Sequence, residues 1–123
     1  MLDACHELGI TLIAYSPLAM GALTGKYSAR TRASGFRRFL PSFRGKAMDA
    51  VQPVVELLRE IGERHSKSPS QVALRWLIEN EIVLPIPGAK NSRQAAENAG
   101  ALSFSLSPEE VEALSQATMA WRN

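Results

Sequence analysis

The sequence has 123 residues, of which 46% are hydrophobic and 21% charged, with a formal net charge of +2. This composition is typical of a globular protein, and the length fits one domain or a part of a larger one. No apolar run approaches the roughly 18 residues that span a bilayer, so we expect no membrane segment. The single cysteine, Cys5, cannot form an internal disulfide, which predicts a reducing compartment: the cytoplasm, or a plastid if the source is a plant.

The first predicted elements are a helix end and a short strand. Residues 2–8 carry apolar side chains near helical spacing, and Gly9 follows where helices often end in glycine. Because this helix starts without an N-cap, we expect the sequence to be part of a longer protein. Residues 10–15 are β-branched and apolar, which is typical of a parallel strand buried on both faces. Pro17 ends the strand, since it cannot continue a central ladder, and residues 19–46 predict a long connection.

Two helices are predicted next. The first covers about residues 47–65 with one apolar face, and Pro53 is expected to fit only in its first turn, which leaves the helix start open. The second begins with a capping box, in which Ser68 is the N-cap, Pro69 the first helical residue and Gln71 the reciprocal partner. Its predicted buried stripe consists of Val72, Ala73, Trp76 and Leu77.

The remaining chain predicts a second strand and two more helices. The strand covers residues 82–86, and the helix after it is capped by either Asn91 or Ser92 and stops near Gly100. Ser107 opens the final helix with another capping box. Strand followed by helix, twice over, predicts an α/β fold with parallel βα units. Since two parallel strands alone leave both sheet edges unpaired, we expect further strands from another chain or a longer protein.

Basic residues are concentrated between Glu7 and Asp49, a stretch without any acidic residue. Such a segment suits a phosphate-bearing ligand, although a solvated loop is the simpler interpretation for most of its arginines. A nucleic-acid-binding module over residues 26–46 is another hypothesis, but interleaved aromatic residues are lacking, so we expect no nucleic-acid partner. The basic residues of this stretch are Lys26, Arg30, Arg32, Arg37, Arg38, Arg44 and Lys46.

The turn after the first strand has chemistry suited to an anion, and ligands of α/β proteins bind at the carboxyl ends of parallel strands. Ser16 offers a hydroxyl, the glycines that follow let backbone amides approach an anion, and Lys26 can place a charge on a phosphate. Tyr15 offers a ring for stacking, or else is a core aromatic. A P-loop is excluded because the glycines enclose three residues instead of four and Tyr27 follows Lys26.

The turn after the second strand runs through Gly88 onto a helix N-terminus, which is a ready anion site. Gln94, Glu97 and Asn98 lie three and four residues apart and therefore share one helix face. Such a face could recognise the edge of an adenine, or it is simply solvated. Further cationic and polar groups come from Lys90, Asn91 and Arg93. The sequence shows no cluster of carboxylates and histidines with the spacing of metal ligands, so we predict no metal site.

Together the two turns resemble the aldo-keto reductase family over essentially the whole chain. AYSPLAMGALTGKY resembles the loop after the seventh strand of the family's barrel. SPSQVALRWLIENEIVLPIPGAKNSRQAAENAGAL resembles its seventh helix, eighth strand and following helix, and SLSPEEVEAL resembles its C-terminal helix. The resemblance implies that residues 1–123 are the C-terminal part of a (β/α)8 TIM barrel, with its last two βα units and C-terminal helix, the N-terminal part being absent.

The resemblance also implies a site for NADP(H) in which each predicted contact has a role. In the first turn, Tyr15 would stack on the nicotinamide. The implied pyrophosphate contacts and the belt over them are Ser16, Pro17, Leu18, Gly21 and Lys26. One arginine would help to close the loop over the cofactor, and the choice is open among Arg30, Arg32, Arg37 and Arg38.

In the second turn, Gly88 and Lys90 would lie near the 2′-phosphate of NADP. Many family members have arginine where this chain has Gln94, so NAD(H) is an alternative cofactor. The implied contacts to the ribose phosphate and adenine are Gln94, Glu97 and Asn98.

The implied activity is reversible hydride transfer between the cofactor and a small-molecule carbonyl or alcohol. The family's catalytic Asp, Tyr, Lys and His match no segment here, so we assign no catalytic residue and expect the chain alone to be inactive. His6 and His65 are interpreted as structural. The alternative is a non-catalytic cofactor-binding protein similar to the potassium-channel β subunits, which share the fold. Neither the substrate nor the oligomeric state is predicted.

Overall fold

The computed structural model describes residues 1–28, 30–31, 33–40, 43 and 45–122. Short 3-10 helices occur at Ala19–Thr24, Gly35–Phe39 and Gly100–Ser103. Helices and strands follow one another in an α/β order. In chain order they are α1 (Leu2–Glu7), β1 (Leu12–Tyr15), α2 (Gly45–His65), α3 (Pro69–Ile78), β2 (Val83–Ile86), α4 (Ser92–Ala99) and α5 (Pro108–Arg122).

The two strands pair in parallel, as predicted. Leu12 lies opposite Val83, and Tyr15 lies opposite Ile86. The prediction that the first strand is buried on both faces is wrong, because side chains along it alternate between half-buried and exposed. The described helices cover only one face of the sheet, with α3 packed against β2, and Ile13 on the other face is 60% exposed.

The hydrophobic core lies between α2, α3 and α5. The structure corrects the expected place of Pro53, which lies well inside α2 instead of in its first turn. Proline lacks the N–H that would bond to the carbonyl of Asp49, and both residues are exposed, so water can satisfy that carbonyl. Buried valines on the opposite face hold the helix against the core. The largest fully buried side chains are those of Val51, Val54, Val55, Leu58, Ile61, Val72 and Leu114.

The predicted capping boxes are both present. Ser68 Oγ accepts the N–H of Gln71 at 3.3 Å, and Gln71 Oε1 accepts the N–H of Ser68 at 3.0 Å. Ser107 and Glu110 form the same reciprocal pair at 3.2 and 3.0 Å. The open choice for the cap of α4 is settled in favour of Asn91, whose Oδ1 accepts the N–H of Gln94 at 2.9 Å.

The predicted buried stripe of α3 is confirmed in part. Val72 and Ala73 are buried, whereas Trp76 and Leu77 are half-buried, and Leu74 is an additional buried residue. Among the described residues, none of the helices combines the length and apolar character that crossing a bilayer requires.

Candidate functional site

The two strand-end turns open into a single cavity of about 630 Å³. This follows from the topology, because β1 and β2 are parallel neighbours and their carboxyl ends therefore lie side by side. All the residues predicted as cofactor contacts line this cavity. They are Tyr15, Ser16, Pro17, Leu18, Gly21, Lys26, Gly88, Lys90, Gln94, Glu97 and Asn98.

The first turn holds an unusual backbone conformation. Ser16, Ala19 and Met20 have φ values of 53°, 48° and 57°, in the left-handed region that non-glycine residues rarely adopt. Local hydrogen bonds close the turn, with the N–H of Met20 donating to Ser16 Oγ at 3.2 Å and that of Ala19 donating to Ser16 O at 2.9 Å. The Ser16 oxygen accepts in this contact, so its hydroxyl proton is available to a group in the cavity.

Tyr15 stands at the end of β1 with 86% of its surface exposed. It is therefore not a core aromatic, the alternative that its sequence position left open. A ring that lines the cavity and packs against little of the described chain is available to stack on a planar group.

Cationic side chains surround the cavity. Within the described ranges, Lys26 and Lys90 are exposed and form no ion pair. Arg37 also lines the cavity and is held by a 2.8 Å hydrogen bond from its Nε to Met20 O. Of the four arginines proposed to close the loop, Arg37 alone is seen to line the cavity, whereas Arg32, like Arg44, lies outside the described residues.

In the second turn, two of the predicted adenine contacts also support the turn itself. Gln94 Oε1 accepts the N–H of Lys90 at 2.8 Å, and Asn98 Nδ2 donates to Gly88 O at 3.3 Å. The Gln94 amide N–H groups and Asn98 Oδ1 remain for a ligand. The carboxylate of Glu97 is exposed and has no hydrogen bond to the described part of the chain.

Helix α3 also contributes to the cavity, which sequence reasoning missed. Ser68 and Ser70, at its first turn, line the cavity from behind the first strand-end turn. No local pattern could have shown this, because the contact depends on how α3 packs against residues 19–24. The other lining residues outside the predicted set are Met20, Thr24, Tyr27, Arg37, Ile86, Pro87 and Ala89.

The two histidines lie away from this cavity. His6 lines a second cavity of about 440 Å³ next to the start of β2. His65 Nε2 contacts the Glu110 carboxylate at 2.9 Å, and Arg64 Nε lies 3.5 Å from the same group. Burial raises the pKa of Glu110, but hydrogen bonds from Ser107 and His65 and the charges of His65 and Arg64 outweigh it. The net pKa lies below the ordinary 4.5.

Comparison with known proteins matches this chain to one family and to several of its members. The family model described as "Aldo/keto reductase family" matches residues 1–118. Aldo-keto reductase str7 of Strobilurus tenacellus is 39% identical over 93% of this chain and 35% of its own length. The chloroplastic pyridoxal reductase of Arabidopsis thaliana is 43% identical over 86% of this chain and 28% of its own length. The chain thus spans about a third of the length of these curated relatives.

Solved structures of the same family share the fold. The glycerol dehydrogenase of Gluconobacter oxydans matches with a TM-score of 0.82 at 24% identity, over 95% of this chain and 36% of that one. An aldo-keto reductase of Bombyx mori in complex with NADP matches with a TM-score of 0.62 at 28% identity, over 94% of this chain and 31% of that one. These neighbours are TIM barrels, with which the arrangement of helices and parallel strands is consistent as part of a barrel. The chain belongs to the aldo/keto reductase family.

Proposed function

We propose that this chain forms the dinucleotide-binding part of an oxidoreductase and binds NADP(H), with NAD(H) as the alternative cofactor. The observation that carries the proposal is the convergence of Tyr15–Lys26 and Gly88–Asn98 on one cavity. The two segments are far apart in sequence, and each can bind an anion. Together they suit an extended ligand that carries phosphate groups at separate positions.

The cavity fits such a ligand in size and in chemistry. Its volume of about 630 Å³ lies within the range of roughly 300–1,000 Å³ found for small-molecule sites. Lys26, Arg37 and Lys90 bring three positive charges to its walls, and Ser16 adds a hydroxyl donor. A strained, hydrogen-bonded turn presents these donors in a fixed position, which reduces the ordering that binding requires.

The residues divide by the part of the cofactor that they would hold. The Tyr15 ring would stack on the nicotinamide, and residues 16–26 would hold the pyrophosphate. Lys90 would meet the 2′-phosphate, while Glu97 and Asn98 would contact the adenine end. Lys90 supplies charge beside Gln94, which is neutral, so we expect a moderate preference for NADP(H) over NAD(H).

The activity of the whole protein follows as part of the same proposal. The bound nicotinamide supplies the hydride chemistry, while the chain binds and orients it toward a small-molecule carbonyl or alcohol. We assign the chain to the last two βα units and the C-terminal helix of the barrel. The exposed apolar face of the sheet, with Ile13 and Leu84, supports this, because it is the face that would point into a barrel.

The chain alone is not expected to reduce carbonyls. Neither histidine reaches the cavity, since His6 lines the second cavity and His65 contacts Glu110. A non-catalytic, cofactor-binding role remains compatible with the same geometry. Purified chain mixed with NADPH and a panel of aldehydes should therefore show no loss of absorbance at the nicotinamide band above the background without protein.

Titration with NADPH and NADH, followed by calorimetry, tests the binding proposal. We expect both to bind, and Lys90→Ala to weaken NADPH about fivefold while leaving NADH unchanged, as loss of one exposed charge contact predicts. Lys46→Ala is the matched control, because Lys46 is exposed but does not line the cavity. Wild-type chain that binds neither dinucleotide would refute the proposal.

A further inference from the structure

We propose that the second cavity, which is the one lined by His6, binds a small organic ammonium ion with an apolar body. The cavity has a volume of about 440 Å³ and lies at the start of β2, whereas the cavity between the strand-end turns lies at its end. Val83 lines the first and Ile86 the second, and a four-residue strand separates their Cα atoms by about 10 Å. The inference is therefore independent of the proposed cofactor site.

Apolar side chains from three helices form walls of the second cavity. Leu2 comes from α1, Trp76 and Leu77 come from α3, and Val111 comes from α5. By their spacing, Trp76 and Leu77 belong to the buried stripe of α3, yet both remain half-buried because they border this cavity. A cavity of this volume with aliphatic and aromatic walls has the size and character of a small-molecule site.

Trp76 is held on the cavity wall by contacts with α5. Its Nε1–H donates to Ser115 Oγ at 3.3 Å, and the Ser115 hydroxyl donates to Val111 O at 2.8 Å. Since the polar edge of the indole is satisfied within the protein, a ligand meets mainly the apolar ring. Tryptophan is also the aromatic side chain that attracts a cation most strongly. This wall favours a ligand that combines an apolar body with a positive charge.

The carboxylates of the second cavity indicate the same sign of charge. Glu79 and Glu81 both line it. Arg75 Nε lies 2.7 Å from Glu79 Oε1, so the charge of Glu79 is partly offset. Glu81 is exposed and forms no ion pair with any residue that the structure describes. Its carboxylate is therefore available to an ammonium group of a ligand.

The two cavities differ in the charge of their lining. No lysine or arginine is among the described residues that line the second cavity, where the other polar residues are His6, Asn80 and Ser115. The cavity between the strand-end turns has one carboxylate, that of Glu97, and three cationic side chains, those of Lys26, Arg37 and Lys90. Charge complementarity thus directs a phosphate to one cavity and an organic cation to the other.

Titration of the 15N-labelled chain with phenethylammonium tests the proposal, with the indole N–H resonance of Trp76 as the readout. We expect a dissociation constant of about 1 mM, which is usual for a ligand of about nine non-hydrogen atoms. The neutral analogue 2-phenylethanol should bind about fivefold more weakly, because it lacks the charge contact with Glu81, and phenylacetate more weakly still. The indole N–H of Trp121, which does not line the cavity, is the internal reference.

The variant Glu81→Gln removes the charge and keeps the size of the side chain. We expect it to bind phenethylammonium about fivefold more weakly and 2-phenylethanol unchanged, so that the preference for the cation disappears. Glu63→Gln is the matched control, because it changes the net charge equally at an exposed position of α2 that lines neither cavity. It should leave both affinities unchanged, and both variants should unfold at the wild-type temperature.

The outcomes separate this inference from the proposed function. Equal affinity of the wild type for phenethylammonium and 2-phenylethanol would overturn the inference, as would an unchanged affinity in Glu81→Gln or no binding of any probe. Resonance changes confined to the cavity between the strand-end turns would also overturn it. NADPH should bind equally well with and without phenethylammonium. A chain that binds the ammonium ion at Trp76 but neither dinucleotide would refute the proposed function and leave this inference standing.

Discussion

The helical side of the molecule and the cavity side differ in how their charged side chains are held. Around α2, α3 and α5, both capping boxes close, and Glu110 is contacted by Ser107, His65 and Arg64. Around the cavity, Lys26 and Lys90 are exposed and form no ion pair within the part of the chain that the structure describes.

The backbone follows the same division. Among the described residues, the non-glycine positions with positive φ are Ser16, Ala19 and Met20 in the first turn, besides Ser66 at the end of α2. Such conformations persist where surrounding structure enforces them, and they are concentrated at binding sites. The comparison teaches that strained backbone is concentrated in the first strand-end turn, where a ligand is expected, with Ser66 as the exception among the described residues of the helical side.

The largest expected effect comes from a glycine on the helical side. A Cβ at Gly62 would collide with the carbonyl oxygen of Lys67, where the chain leaves α2. Alanine gains about 1 kcal/mol in helix propensity, but moving a backbone segment should outweigh it. We expect Gly62→Ala to lower the free energy of unfolding by about 2 kcal/mol, as overpacking does, when measured by urea denaturation.

The control glycine lies on the cavity side. Gly88 has no atom within 4 Å of a hypothetical Cβ and no positive φ. We expect Gly88→Ala to change stability by less than about 0.5 kcal/mol, as at other uncrowded surface positions, while NADPH binding weakens. Equal stability losses in the two variants would erase the distinction between the two sides.

A smaller effect is expected from the charge at Glu110. Its folded pKa lies below the unfolded value near 4.5, so its stabilisation is present above that pH and is lost as pH falls through the folded pKa. Glu110→Gln can keep the capping box but removes the charge. We expect a loss of about 1 kcal/mol at pH 7 and a weaker dependence of unfolding free energy on pH below about 4.5.

Glu109→Gln is the matched comparison for the pH experiment. Glu109 is next along the same helix turn, and hydrogen bonds from its own N–H and from Ser107 lower its pKa as well, but it has no contact with His65 or Arg64. We expect a smaller change at pH 7 from this variant. A wild-type acid profile in Glu110→Gln would contradict the assigned role of the carboxylate.

How far the fold could be predicted depended on whether the deciding interaction was local. The capping boxes at Ser68 and Ser107 were predicted because their partners lie three residues apart in the chain. The place of Pro53 was not, because it depends on whether the Asp49 carbonyl faces water, which only the packed helix decides. The burial of Ile13 was overestimated, since no pattern along one strand reports what covers its faces.

The candidate site shows the same limit. The strand-end turns could be placed together from the parallel strand order and the family resemblance, and all the residues named from them line the cavity. Ser70 was missed because it reaches the cavity from a helix that packs behind the first turn. Arg37 could not be chosen among four arginines, since its bond from Nε to Met20 O joins residues 17 apart in the chain and leaves no local pattern.

The smallest expected effect tests the strain in the first turn directly. Met20 has a φ of 57°, which costs a non-glycine residue about 1–2 kcal/mol, whereas glycine adopts it without strain. Since glycine also loses more entropy on folding, we expect Met20→Gly to raise the unfolding free energy by only about 0.5 kcal/mol. Ala22→Gly, two residues further along the turn at a position without a positive φ, should instead lower it by about 1 kcal/mol. If urea denaturation shows that both variants lose stability by the same amount, Met20 is not strained in the folded protein. The donors of the turn would then be held in position by the hydrogen bonds of Ser16 and Arg37.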